Sequence, residues 1–99
     1  MDRINTKNAE ARARDFSMSM PKNRADRILL IEQIARAIQE EQGSFIFDQI
    51  YDILELVYKE DFKKNSDIVL EELEEWVEQD KRVELLESET GFYIYRITD

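Results

Sequence analysis

Asp67, Glu71, Glu74, Glu75 and Glu78 recur at about one helical turn within DIVLEELEEWVEQDK, residues 67–81, where seven of fifteen residues are Asp or Glu and the only base is Lys81. Carboxylates can serve as a general acid and base, hold a hard metal ion, or pair with Lys and Arg of another surface. Acid–base work needs two carboxyl groups in a cleft whose surroundings push their pKa values apart. A calcium site needs a loop that gathers oxygens around one point. A helical spacing instead lays the charges along one outer face, where they can meet the bases of a partner.

Other acidic pairs exist, at Glu40 and Glu41, Glu60 and Asp61, Glu71 and Glu72, and Glu74 and Glu75. All fall on expected outer helix faces, without the positioning shell a catalytic pair requires. The chain has no His and no Cys, which removes the commonest general base, the usual zinc ligands and any disulfide. Gly occurs only twice, and no phosphate loop, dinucleotide fingerprint, nucleophile elbow or EF-hand loop is present. The expectation is a protein that is not an enzyme and needs no metal or cofactor.

The elements that must position the carboxylates follow from hydrophobic periodicity. Residues 26–41 predict a helix, with Asp26 as cap, a stripe of Ile31, Ile34, Ala35 and Ile38 with Leu30 beside it, and Gly43 as its stop. Leu29 points away from that stripe. SFIF, 44–47, predicts a short strand. Asp48 would cap a second helix over 48–61, with Ile50, Ile53, Leu54 and Val57 inward and Tyr51 and Tyr58 at the flanks. Ser66 would cap a third helix running to about 79. RVELLE and FYIYRI around SETG predict a hairpin, with both faces of the last strand buried.

This order, carried by the 26–41 helix, the SFIF strand, the 48–61 helix, the 67–79 helix ending in EEWVEQDKRVELL and the closing GFYIYRI, resembles the winged helix-turn-helix superfamily over about three quarters of the chain. The resemblance implies an α+β, winged-helix-like fold: three helices, a short strand between the first two, and a C-terminal β-hairpin wing. It also implies that the third helix stands where the superfamily places the helix that enters the DNA major groove, with the wing on the neighbouring backbone.

At 100° per residue, Val69, Leu70, Leu73, Trp76 and Val77 share one face of that helix. Asp67, Glu71, Glu74, Glu75 and Glu78 share the opposite one, with Glu72 at the edge. DNA affinity rests on Lys and Arg neutralising phosphates, and this face supplies none. The hairpin tip adds Glu87 and Glu89, and only Lys81, Arg82 and Arg96 lie near its base. Direct DNA binding by the third helix is therefore not expected.

The net charge of −9 is divided unevenly. Residues 1–27 hold seven bases against four acids, and residues 28–99 hold seven bases against nineteen acids. Residues 1–25 read as a flexible, weakly basic N-terminal arm, and 26–99 as an acidic domain. The arm could contact a nucleic acid or fold onto the acidic body of its own or a second copy. No run of 18 apolar residues is present and no secretory signal is visible, so the expected location is cytoplasmic, away from membranes.

The expected function is that of a non-catalytic protein-binding regulator, of the small acidic kind that phages use. It presents Asp67, Glu71, Glu74, Glu75, Glu78, Glu87 and Glu89 to a basic partner surface. That partner would be nucleic-acid-binding machinery such as RNA polymerase, with the acidic face mimicking or competing with DNA. Two alternatives stay open. One is a DNA-binding transcriptional regulator using Arg12, Arg14, Lys22, Arg24, Lys81, Arg82 and Arg96. The other is a structural winged-helix subunit of a larger assembly, held by hydrophobic faces. The oligomeric state is not set by the sequence.

Overall fold

Asn23 begins the longest helix by accepting the Asp26 amide on its side-chain oxygen at 2.9 Å, and Gly43 ends it in the left-handed conformation at φ +87°. Gly43 is the residue type this stop requires, because a Cβ is disfavoured there. The computed structural model describes residues 6–89 and 92–99, and side chains except those of 87–92. The described helices are α1 (Lys7–Phe16), α2 (Arg24–Gln42), α3 (Phe47–Tyr58), α4 (Glu60–Lys64) and α5 (Ser66–Gln79), followed by strands β1 (Val83–Glu89) and β2 (Phe92–Ile97). The architecture is α+β, with an antiparallel hairpin at the C-terminus.

The core is built around α2, which buries Leu30, Ile31, Ile34, Ala35, Ala37 and Ile38. Ile50, Ile53, Leu54 and Tyr58 meet it from α3, and Val69, Leu73, Trp76 and Val77 from α5. These are largely the stripes that periodicity picks out, and Leu29 is exposed. The expected SFIF strand contracts to a single bridge. Phe45 and Tyr95 exchange both backbone hydrogen bonds at 2.9 Å. Two residues on, the Gln39 side chain accepts from Ile97 N at 2.7 Å and donates to its O at 2.9 Å, continuing the pairing of β2. β2 therefore lies between Phe45 and β1, and β1 forms the outer edge.

Residues 7–25 are not the free arm that their composition suggests. Ala9 and Ala13 of α1 are buried, and the helix packs on α2 and α3. Small side chains one turn apart let the backbones approach closely, a stripe too small to register as hydrophobic periodicity. Thr6 Oγ1 donates to Glu10 at 2.7 Å at the start of the helix. Arg12 grips Glu40 with two bonds of 2.8 Å, and Tyr58 Oη donates to Ala13 O and Ser17 O at 3.1 and 2.8 Å. Burial raises the Tyr58 hydroxyl to a pKa of about 12, so it remains a donor.

Three expected helices are thus joined by two more, α1 and α4. The short α4 exists because Phe62 is fully buried, its ring edge-on to Tyr51 at 4.8 Å. The chain turns into α4 at Lys59, whose backbone sits at φ +52°, ψ −119°. A side chain there carries strain of roughly 1–3 kcal/mol, against roughly 0.4–1 kcal/mol for the extra unfolded-state freedom of glycine. Lys59→Gly is therefore expected to stabilise the domain by about 1 kcal/mol, a rise in Tm of roughly 4–8 °C for this size. A melting curve with Tm unchanged or lowered would show that the turn is not strained.

Candidate functional site

α5 turns Val69, Leu73, Trp76 and Val77 inward, with Trp76 only 4% exposed, and Trp76 Nε1 donates to Asp80 at 3.1 Å. The opposite side carries Asp67, Glu71, Glu74 and Glu78, all exposed. Their spacing places them within about 60° of one another around the helix and along about 16 Å of its length. Among the described residues, none of the four has an ion-pair or hydrogen-bond partner on its side chain. No base on α5 relieves the mutual repulsion.

Two other acids of the helix behave differently. Glu75, expected on the free face, is held by Arg24 of α2 at 3.1 and 3.4 Å. Glu72, expected at the edge, is buried and takes a two-pronged pair from Arg27 at 2.6 and 2.7 Å. Hydrogen bonds to these carboxylates raise the pKa of both arginines. The cause is tertiary: the first turns of α2 pass the middle of α5, bringing together residues 51 and 45 apart in sequence. Glu75 therefore leaves the candidate face as a free carboxylate. The expected hairpin acids Glu87 and Glu89 have their backbones in β1, and their side chains lie outside the described residues.

The bases of the nucleic-acid alternative are mostly engaged within the fold. Arg12 binds Glu40, and Arg24 binds Glu75. Arg96 holds Glu84 at 3.1 Å, and Arg14 lies 3.7 Å from Glu10. Arg82 donates to Glu32 at 2.6 Å and to Asp80 at 2.8 Å. Glu32 also accepts from Arg36, whose other nitrogens hold Asp99 at 2.9 and 3.0 Å. This network fastens α2 to the hairpin root and the last residue. The Arg82 bonds, together with Trp76, bring Asp80 down to a pKa of about 2. Lys22 and Lys81 are exposed, without an ion pair among the described residues.

The hairpin shows a feature that runs against the expected two-sided burial. Along one face of β2, Ile97 is buried, Tyr95 half-buried and Tyr93 55% exposed. Leu85, the cross-strand partner of Tyr95, is 53% exposed. Phe47 stacks on Tyr95 at 5.1 Å, and the Tyr93 and Tyr95 rings stand 6.5 Å apart. Burial raises the Tyr95 hydroxyl pKa, and so do the charges of Tyr93, Glu78 and Glu74. The signal was visible as the alternation FYIYRI. What periodicity could not give is how far α5 reaches: it ends at Gln79, and Leu85 and Tyr93 on the hairpin stay exposed.

Among the described residues, no group of three or more acids is gathered closely enough to hold a metal ion, and no helix is long and apolar enough to cross a membrane. The arrangement thus offers an acidic row on α5 and, on the hairpin, an exposed apolar strip. No family model matches the chain, and no curated protein or solved structure matches it.

Proposed function

We propose that residues 24–97 form a winged-helix-like domain in which α5 takes the place of a recognition helix, and that this helix presents carboxylates to a basic protein rather than bases to DNA. The order of α2, the Phe45 bridge, α3, α5 and the hairpin supports the first part. The observation that carries the second is the row Asp67, Glu71, Glu74 and Glu78, exposed and, among the described residues, without an ion-pair partner. Free carboxylates along the outer face of a rigid helix repel phosphate and attract Lys and Arg. The protein then acts as a non-catalytic regulator that occupies the basic channel of nucleic-acid-binding machinery, of which RNA polymerase is an example. A DNA-binding role has less support, since Arg12, Arg24, Arg82 and Arg96 already serve carboxylates of the same chain.

The test is affinity capture at physiological salt with the intact protein and with a Glu71→Lys, Glu74→Lys, Glu78→Lys variant. Glu75 is left alone because reversing it would set a lysine against Arg24. At roughly 1 kcal/mol per exposed contact, three reversals should weaken a basic partner by about 100-fold. The fold should be unharmed, since repulsion along α5 is relieved. Wild type and variant recovering the same proteins in the same amounts would refute the proposal.

A further inference from the structure

We infer that the open edge of β1 pairs antiparallel with the same edge of a second copy, joining two hairpins into one four-stranded sheet. The main chain supplies the first argument. Tyr95 exchanges both of its main-chain bonds with Phe45, and Ile97 exchanges both of its own with the Gln39 side chain, so these residues turn their polar groups away from β1. In an antiparallel ladder bonded and non-bonded pairs alternate. Leu85, opposite Tyr95, therefore points its N–H and C=O outward, away from β2. Leu86 is the extra residue of a bulge, since the pairing passes from Leu85–Tyr95 to Glu87–Ile94. Ser88, opposite Tyr93, then also turns its main-chain groups outward. A row of free groups along an edge is a template for another strand. No Lys or Pro stands within 83–89 to guard it. At its centre Leu85 is 53% exposed and Leu86 41%.

The pattern of the strand itself names the occupant. Bases precede it at Lys81 and Arg82, acids occupy its far end at Glu87 and Glu89, and Leu85 and Leu86 lie between. A two-fold contact uses the same patch twice, and each residue i that meets j is repaid by j meeting i. With Leu85 on the axis, it faces Leu85 of the second copy, and the two exchange N–H···O=C bonds. Counting the bulge as one ladder position, Val83 then meets Ser88, and Arg82 meets the position of Glu89. Val83 N–H donates to Asp80 O at 3.0 Å, which leaves its carbonyl for the Ser88 amide. Glu84 meets the position of Glu87 while holding Arg96 at 3.1 Å, so a base stands at that crossing too. The edge is complementary to itself, apolar centre on apolar centre and basic end on acidic end, as cross-strand pairs require. A parallel arrangement would set like ends together. Seven residues a side are fewer than the roughly 20–30 of a standard interface, so the dimer is weak. Both copies spend the same edge, so assembly stops at two. No residue of the α5 row takes part.

Sedimentation equilibrium of the intact chain tests the contact. It is run at about 0.15 M salt, where the repulsion between two copies of net charge −9 is screened beyond about 8 Å. Between about 10 μM and about 1 mM, a range suited to a weak interface, the mass should rise from one chain towards two and no further. Leu85→Lys sets two lysines directly opposite each other and should weaken the dimer by about tenfold or more. Leu85→Glu should do the same. An equimolar mixture of the two variants sets Lys against Glu and should dimerise where neither does alone. Leu85 is exposed, so both variants should fold, and Trp76 fluorescence checks it. In the parent chain, hydrogen exchange at the Leu85 amide should slow as concentration rises, a readout that needs no variant. A single-chain mass over the whole range, a Leu85 amide indifferent to concentration, or a dimer that Leu85→Lys leaves intact would each overturn the inference. A mixture that associates no better than its components would overturn the pairing of Leu85 with itself. Growth beyond two chains would overturn the closed, two-fold contact.

Discussion

Arg27→Met is expected to destabilise the domain by about 3–5 kcal/mol, a large part of the roughly 5–15 kcal/mol that holds a domain together. The reason is the partner it abandons. Glu72 sits against the core with its side chain 6% exposed, and both of its oxygens are satisfied by Arg27. Removing the guanidinium leaves a desolvated carboxylate without a donor. Arg27 also donates to the Lys22 carbonyl at 2.7 Å, but that segment lies at the surface, where water can replace it. Arg27→Met combined with Glu72→Leu should therefore return to within about 1 kcal/mol of the parent, since an apolar pair of similar volume needs no desolvation. Arg24→Met, at the exposed pair with Glu75, should shift the midpoint far less, since water screens a surface ion pair. Urea unfolding followed by Trp76 fluorescence measures all three, the midpoint shifting at constant slope. If Arg27→Met lost no more than Arg24→Met, the pair would be a surface contact and not part of the core.

These pairs answer a question that the charge asymmetry raises. Seven bases in the first 27 residues face nineteen acids in the remainder. Arg12 pairs with Glu40, Arg24 with Glu75 and Arg27 with Glu72. The N-terminal bases fold onto the acidic body and neutralise part of it. The row on α5 stays outside that neutralisation, as do Asp48, Asp52 and Glu55 on α3, so the exposed negative charge is shared between the two helices.

Much of this was legible from residue types. The α5 stripe with Trp76 inside, the Gly43 stop, the exposed Leu29 and the C-terminal hairpin itself follow from local rules of period and turn chemistry, but its register does not: Ser88 and Glu89 of the expected SETG turn pair with Tyr93 and Phe92, and the pairing shifts between Leu85 and Glu87. α1 was hidden because its buried face is Ala9 and Ala13, which carry almost no hydrophobic signal. Glu75 could not be told from Glu71 and Glu74 by wheel position alone, and for Glu72 the wheel gave only the edge of the face, not burial. What separates them is the crossing of α2 over α5, a tertiary fact. The turn at Lys59 was also hidden, since positive φ at a lysine leaves no mark on the sequence. Of the seven carboxylates expected to meet a partner, Asp67, Glu71, Glu74 and Glu78 keep their free outward position. Tyr93 and Leu85 enter because they stay exposed on the hairpin.

Phe45→Ala is expected to cost a further about 3–5 kcal/mol, and to do so by loosening the hairpin. Phe45 is fully buried, with its ring 5.9 Å from both Trp76 and Tyr95. It stands between α5 and β2, so its removal opens a cavity at a place where the sheet is fastened to the third long helix. Its backbone bridge to Tyr95 is made by main-chain atoms and needs no particular side chain. That bridge is short, however, and a single bridge without packing above it is expected to open. Phe45→Leu, which keeps most of the volume, should cost less than about 1.5 kcal/mol. Two readouts follow. In hydrogen exchange, the Tyr95 and Phe45 amides should lose protection in Phe45→Ala before the amides of α2 do, because α2 is held from several sides. In urea unfolding, the Phe45→Ala midpoint should fall well below the parent's while that of Phe45→Leu stays close to it. Were Phe45→Ala to keep its midpoint and the Tyr95 protection, the hairpin would be held by the Glu32–Arg82–Asp80 network and Gln39 instead, and the aromatic column would be a consequence of that attachment rather than its cause.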